Sequence, residues 1–195
     1  MPNYCDNALY IRGPRDELQR FKEFAGGYGF KWTNNIEKLD DQPAPFVDLD
    51  LYRFIKPDNN SPMSYNDFGY DWCITNHGTK WGCFDVRVYV DQMRSGILDY
   101  HFTTAWSPFN RAVFDKMIEL FPKLEFLYKY YEGGCDFCGR YWSKGEDQEH
   151  SISSFLPEFP DEDVDGQEDD WYYMEGAFNT EWMSPTEFDS LYNKQ

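Results

Sequence analysis

A chain of 195 residues is long enough to bury a sizeable core in one domain and to carry an extension. Its 35 acidic residues outweigh 18 Lys and Arg, for a net charge of −17; a surface of that sign repels DNA, RNA and anionic membranes and attracts basic proteins. No apolar run approaches the roughly eighteen residues of a membrane span, the start Met1-Pro2-Asn3-Tyr4-Cys5-Asp6-Asn7 lacks the features of a secretory signal, and five cysteines suit reduced thiols, so the sequence places the protein in the cytosol.

In chain order, residues 7–12 alternate, with Leu9 and Ile11 on one face, and predict a strand ending at Gly13-Pro14. Pro14 then opens a helix at the position proline tolerates best. Leu18, Phe21, Phe24 and Ala25 follow at helical spacing until Gly26-Gly27. Residues 33–70 are rich in Asn, Asp and Pro and read as an insertion, with one strand-like run from Leu49 to Ile55. Phe84, Val86, Val88 and Val90 alternate with polar residues and predict a strand with one buried face. A turn at Arg94-Ser95-Gly96 leads to Leu98, Tyr100 and Phe102, completing a hairpin.

Ser107-Pro108 is expected to cap a second helix, in which Val113, Met117 and Phe121 recur every four residues up to Pro122. Leu124, Phe126, Tyr128 and Tyr130 form the next strand, and the run from Gly133-Gly134 to Trp142 predicts another in a hairpin. Ser184-Pro185-Thr186-Glu187 reads as a capping box before a short terminal helix. The order strand, helix, strand, strand, helix, strand predicts an α+β protein of the ferredoxin-like split βαβ kind, an antiparallel sheet with two helices on one face.

Charge divides the chain unevenly. Residues 146–195 hold 15 acids and one base, Lys194, a net of −14, whereas residues 1–145 hold 20 acids and 17 bases, a net of −3. The acidic part also keeps nine aromatic residues, among them Phe155, Trp171 and Trp182. A purely disordered acidic tail is poor in aromatics. Residues 1–145 are therefore expected to form the domain, with its insertion at about 33–70, and 146–195 an acidic extension packed on it.

Four strings occur in order along the first three quarters of the chain. They are Pro2-Asn3-Tyr4-Cys5 with Gly13-Pro14; Asn76-His77-Gly78-Thr79-Lys80-Trp81; Phe102-Thr103-Thr104-Ala105-Trp106-Ser107-Pro108; and Phe121-Pro122 leading to Tyr130-Tyr131-Glu132-Gly133-Gly134-Cys135-Asp136-Phe137-Cys138-Gly139. Together they resemble the YubB-type ferredoxin-like family carried on bacterial plasmids and phages. The resemblance covers about residues 1–145 and implies a ferredoxin-like fold, a mobile-element origin and a bacterial cytosol. It implies no catalytic residues. His77 departs from the family pattern, where an aromatic is expected, and Cys138 stands where a small residue is commoner.

Chemistry-bearing constellations are sparse. Cys135 and Cys138 have metal or redox spacing, and a zinc site would need two further ligands, for which Cys73 and His77 are the candidates. Free thiols in a hairpin are the favoured reading, and no cofactor is expected. Asn76, Lys80 and Trp81, with Trp106, could bind a ligand's phosphate and stack its ring. The preferred reading puts both indoles in the core, with Gly78 serving a turn. Neither a Gly-x-Ser-x-Gly elbow nor a Gly-x-x-x-x-Gly-Lys loop is present. Asp161, Glu162, Asp163, Asp165, Glu168, Asp169 and Asp170 form a dense acidic run without a calcium-loop pattern.

The leading expectation is a binding protein that is not an enzyme. It would be an acidic inhibitor of anti-CRISPR or anti-restriction type, whose strip from Asp161 to Asp170 occupies the nucleic-acid site of a basic host protein. The chain itself would bind neither nucleic acid nor membrane. The alternative is a nucleotide or small-molecule binding protein, with enzymatic turnover left open, using the loop of Asn76, Lys80 and Trp81 together with Trp106.

Overall fold

The computed structural model describes residues 3–29, 32–33, 46–58, 63–64 and 68–151. The first strand, β1 (Tyr4–Arg12), leads into helix α1 (Arg15–Ala25). Next come the two-residue strands β2 (Trp32–Thr33) and β3 (Met63–Ser64), a short helix α2 (Tyr70–His77), and strands β4 (Phe84–Tyr89) and β5 (Ile97–Ala105). Helix α3 (Arg111–Leu120) and strands β6 (Glu125–Glu132), β7 (Phe137–Trp142) and β8 (Gln148–Ser151) complete the described chain.

The main sheet has the order β4-β5-β1-β6-β7-β8, and every neighbouring pair is antiparallel. Its first four strands, with α1 and α3 as crossovers, are the ferredoxin-like arrangement that the alternation and helical spacing predict. β7 and β8 extend the sheet beyond β6. β8 has no signal in the sequence, because Gln148-Glu149-His150-Ser151 is polar and pairs only at an edge. A third helix, α2, closes the connection between α1 and β4.

Inward-facing residues of the strands meet α1 and α3 in one aromatic core. Leu9, Ile11, Tyr100, Phe102, Phe126, Tyr128 and Tyr130 come from the sheet, and Leu18, Phe21, Val113, Phe114 and Met117 from the helices; all are buried. Phe109 stacks on Tyr128 at 3.8 Å between ring centroids, and Phe102 lies parallel to both. The Tyr128 hydroxyl accepts from the Phe109 amide and donates to Asn7 Oδ1, while Asn7 Nδ2 donates to Cys5 O and Thr104 Oγ1. A buried hydroxyl and amide that satisfy each other hold the register of β1 against β6 without an orphaned polar group.

Three local expectations are corrected. The run from Leu49 to Ile55 is no strand: Leu51–Arg53 form a 3-10 turn, because Asp50 Oδ1 accepts from Tyr52 N and its backbone carbonyl from Arg53 N. Leu49, Leu51 and Phe54 then dock beside α1. The cap of α3 is Asn110, whose Oδ1 accepts from Val113 N, whereas Ser107 Oγ donates to Gly78 O. In β4, a bulge at Asp85, with φ of +51°, shifts the register between Phe84 and Arg87. Val86 and Val88 pack on the core, but Phe84 turns to the other face and meets Tyr4 edge-on at 5.5 Å.

Candidate functional site

Gly78 sets the geometry of the Asn76–Trp81 string. It ends α2 in the left-handed conformation at φ +80°, and its amide donates to the carbonyls of Cys73 and Ile74. The chain then crosses to the start of α3, where the Asn110 amide donates to His77 O at 2.8 Å. Thr79, wholly buried, donates through Oγ1 to Ala105 O and accepts from Ala105 N. These bonds pin residues 77–79 to the end of β5 and the loop after it.

Pinned this way, the loop turns its indoles outward. Trp81 is 39% exposed and Trp106 50% exposed, which overturns the expectation that both lie in the core: the polar residues Thr79 and Ser107 take the inner positions. Lys80 Nζ sits 4.9 Å from the Trp81 ring and 5.8 Å from that of Tyr70, and Trp81 meets Phe84 edge-on at 6.4 Å. Asn76 is spent on the helix, donating from Nδ2 to Trp72 O. Lys80 and Trp81 thus form a cation–aromatic rim, and Trp106 stands across the Thr79–Ala105 tie. Trp106 has φ of +74°, a conformation that strains a bulky residue.

One expected result follows from that exposure. Trp106→Ala should change stability by less than about 1 kcal/mol, against roughly 3–5 kcal/mol for a core indole. Urea denaturation with an unchanged slope measures it, and a core-sized loss would contradict the rim geometry.

His77 is a buried aromatic in function. It lies edge-on to Tyr52 at 4.6 Å and to Trp72 at 4.9 Å. Its Nε2 lies 2.8 Å from Ile55 O, so that nitrogen carries the proton, and buried Nδ1 has no hydrogen-bond partner. Burial lowers its pKa from 6.5 to about 4. Protonation therefore favours the unfolded chain. The ring's contribution is intact above pH 6.5, falls as pH drops from 6.5 towards 4, and is constant below that, a loss of up to about 3 kcal/mol. Asp99, raised to about 6 by burial, acts oppositely, since its contribution is full below its ordinary pKa and lost as pH rises through 6. The expected result is a difference: between pH 7 and 4 wild type should lose more stability than His77→Phe. Parallel curves would rule out a buried neutral His77.

The four candidate zinc ligands do not gather. Cys73 and His77 belong to α2, where Cys73 Sγ lies 3.1 Å from Tyr52 Oη, whereas Cys135 and Cys138 belong to the β6–β7 hairpin. Among the described residues no three His, Cys, Asp or Glu side chains form a ligand set. Burial raises the thiol pKa values of Cys5, Cys73 and Cys83, and takes Cys138 up to about 11. A protonated thiol is a poor nucleophile. The acidic run from Asp161 to Asp170, with Glu162, Asp163, Asp165, Glu168 and Asp169, lies outside the described residues, as do Phe155, Trp171, Trp182 and the predicted terminal helix.

One feature the sequence reading missed lies on the sheet face away from α1 and α3. The registers Arg87↔His101, His101↔Ala8, Ala8↔Lys129 and Lys129↔Arg140 set four basic side chains in one row across five strands. Aromatic rings flank the row. Tyr89 meets His101 at 5.0 Å, Lys129 Nζ lies 5.6 Å from the Tyr10 ring, and the Arg140 guanidinium lies 5.5 Å from that of Trp142. Alternation could have placed each residue on this face, but their alignment depends on register. A separate groove of about 540 Å³ beside α1 is lined by Arg15, Lys22 and Arg94, together with Asp91.

Comparison with known proteins agrees with the ferredoxin-like fold class. Residues 85–174 match a family described as the ferredoxin-like domain in Api92-like protein. The match thus runs past residue 145 and through the acidic run. Among solved structures, the chain is similar to the crystal structure of protein api92 from Yersinia pseudotuberculosis. The TM-score is 0.53 at 8% identity, over 77% of this chain and 98% of that one. No curated protein matches the chain. At that identity the structural likeness establishes the fold and nothing further.

Proposed function

We propose that this ferredoxin-like domain presents an acidic surface to a basic, nucleic-acid-binding host protein. The strip from Asp161 to Asp170 would fill that partner's nucleic-acid site as an inhibitor of anti-CRISPR or anti-restriction type. The observation that carries the reading is the partition of charge, −14 of the total −17 within residues 146–195. Repeated carboxylates compete for the Lys and Arg side chains that otherwise hold phosphates. The motif resemblance supports a plasmid or phage origin and a bacterial cytosol as the workplace. Among the described residues no helix is long and apolar enough to cross a membrane. The buried thiols and the neutral His77 offer no activated nucleophile or general base.

A second reading has one specific observation in its favour. The exposed Trp81 beside Lys80, with exposed Trp106 nearby, makes a rim on which a nucleotide or small anionic ring compound could stack.

The discriminating experiment is capture from a bacterial lysate, followed by binding measured against salt. The expected result is a stoichiometric partner that ordinarily binds DNA or RNA, released steeply as salt rises. Replacing Asp161, Asp163, Glu168, Asp169 and Asp170 with Asn or Gln should slow association about tenfold or more while leaving the fold intact. Unchanged affinity and salt dependence in that variant would end the mimicry reading. A co-purifying metabolite lost on Trp81→Ala would establish the second.

A further inference from the structure

The groove beside α1 gathers more positive charge than the elements around it compensate. Arg15, Gln19 and Lys22 fall at helical spacing and line it from one face of α1. Val90, Asp91, Met93 and Arg94, from the connection between β4 and β5, form the facing wall. Both walls are fixed by the fold. Gly13 N, just before α1, donates to Gly96 O at 3.1 Å, Met93 N donates to Val90 O at 3.0 Å, and the Met93 side chain is part of the core. The groove thus sits at the end of β1 away from the Trp81 rim, whose Trp106 amide donates to Asn3 O at the strand's other end.

Within the groove, three cations stand against one carboxylate. Among the described residues, the side chains of Arg15, Lys22 and Arg94 make no ion pair, although the chain carries 35 acids to 18 Lys and Arg. Other bases on and just after the helices are paired: Arg20 and Lys123 with Glu17, Arg111 with Asp115 and Asp147, and Lys116 with Glu119. Asp91 bonds to none of the three cations, and Glu23 accepts from Gln19 Nε2 instead. Arg15 also stands in the first turn of α1, where the helix dipole disfavours a cation. Asp16 and Glu17 share that turn, and Glu17 is already held by Arg20 and Lys123. Like charges gathered round one concavity repel each other, and an anion between them removes that repulsion.

We propose that this groove binds a small phosphorylated compound, with its phosphoryl oxygens among Arg15, Lys22 and Arg94 and its organic part against Val90 and Met93. A phosphoryl group carries about −1.5 to −2 charges at pH 7 on one compact centre. Its oxygens accept from guanidinium forks and from an ammonium, groups that can only donate. A single carboxylate would neutralise one of the three cations and leave the others facing each other. Val90, 41% exposed, and the adjoining Met93 supply an apolar patch that a bare anion would not use. The volume, about 540 Å³, matches small-molecule sites, which run to roughly 300–1,000 Å³. Overall charge does not forbid an anion here, since residues 1–145 carry a net of only −3. The site owes nothing to the acidic run, so it stands or falls apart from the inhibitor reading.

Calorimetric titration of the full-length protein at low salt, with ADP and with inorganic diphosphate as probes, tests it. ADP is expected to bind about tenfold more tightly than diphosphate, because only ADP has a ring to lay on Val90 and Met93. Arg15→Gln and Arg94→Gln should each weaken ADP about tenfold, the loss of one charge-assisted hydrogen bond. Both side chains are exposed, so Tm without ligand should not change. Arg87→Gln, the same charge change at an exposed base on β4, should leave ADP affinity as it was. The proposal is overturned if neither probe binds, or if Arg87→Gln weakens ADP as much as Arg15→Gln, which would make the attraction one of overall charge. Diphosphate binding as tightly as ADP would overturn the part given to Val90 and Met93 and leave bare phosphate as the ligand. Loss of ADP binding in Trp81→Ala, with no effect of Arg15→Gln, would move the ligand to the rim and overturn the groove as its site.

Discussion

Phe21→Ala should lower stability by about 3–5 kcal/mol, as expected for deletion of a fully buried ring. Phe21 projects from the middle of α1 and its ring meets four others. It lies 5.0 Å from Phe121 after α3, 5.5 Å from Phe126 on β6, 5.9 Å from Phe54 in the 3-10 turn and 6.0 Å from Tyr100 on β5. Those neighbours come from four different parts of the chain and are each held by further contacts, so they cannot collapse into the gap. Against the 5–15 kcal/mol that typically separates folded from unfolded chains, roughly a third of the margin would go. Urea denaturation reads the effect as a lower midpoint at unchanged slope. A loss below about 1 kcal/mol would mean that the aromatic cluster repacks freely and that α1 is not held by it.

Gly78→Ala is expected to cost about 2–4 kcal/mol, from backbone strain and overpacking together. At φ +80° an L side chain is strained, and an added Cβ would lie 2.8 Å from both the amide nitrogen and the Cβ of Asn110. Asn110 cannot yield cheaply, because its amide donates to His77 O, its side chain caps α3, and its Nδ2 donates to Thr75 O. Tm should fall by roughly 5–15 °C for a chain of this size. Gly78→Asn separates the two causes, since Asn tolerates the left-handed region but still carries a Cβ. Equal losses for Ala and Asn would assign the cost to the contact with Asn110, and a much milder Asn to strain. No loss with either would mean that α2 does not seat on α3 as described.

How much of the rim could be read in advance shows in its individual residues. That Gly78 serves a left-handed turn follows from the residue type alone, because glycine adopts that conformation at no steric cost. That Trp81 and Trp106 face outward does not follow from residue type. Large aromatics are buried by default, and only the Thr79–Ala105 and Ser107–Gly78 hydrogen bonds, between segments about 26–29 residues apart, turn them out. The same holds for Asn110 displacing Ser107 as the cap of α3, since a cap is chosen by which side chain reaches the free amides of the first turn.

The periodic elements and the charge follow from residue order and composition alone. Alternation in β5 and β6, helical spacing in α1 and α3, and their order specify a ferredoxin-like sheet. Side-chain period is a local property of the backbone, and it survives whatever the chain packs against. The concentration of acid after residue 145 is likewise a fact of composition. Tertiary structure alone decided the bulge at Asp85, the addition of β8 and the alignment of Arg87, His101, Lys129 and Arg140. Each depends on register between distant strands. The bond that helps lock β1 to β6, from Tyr128 to Asn7, joins residues 121 positions apart. No local preference encodes a pairing at that distance; it is selected by the packing of the whole core, because a slip of one residue would turn every buried ring on a strand out to the opposite face.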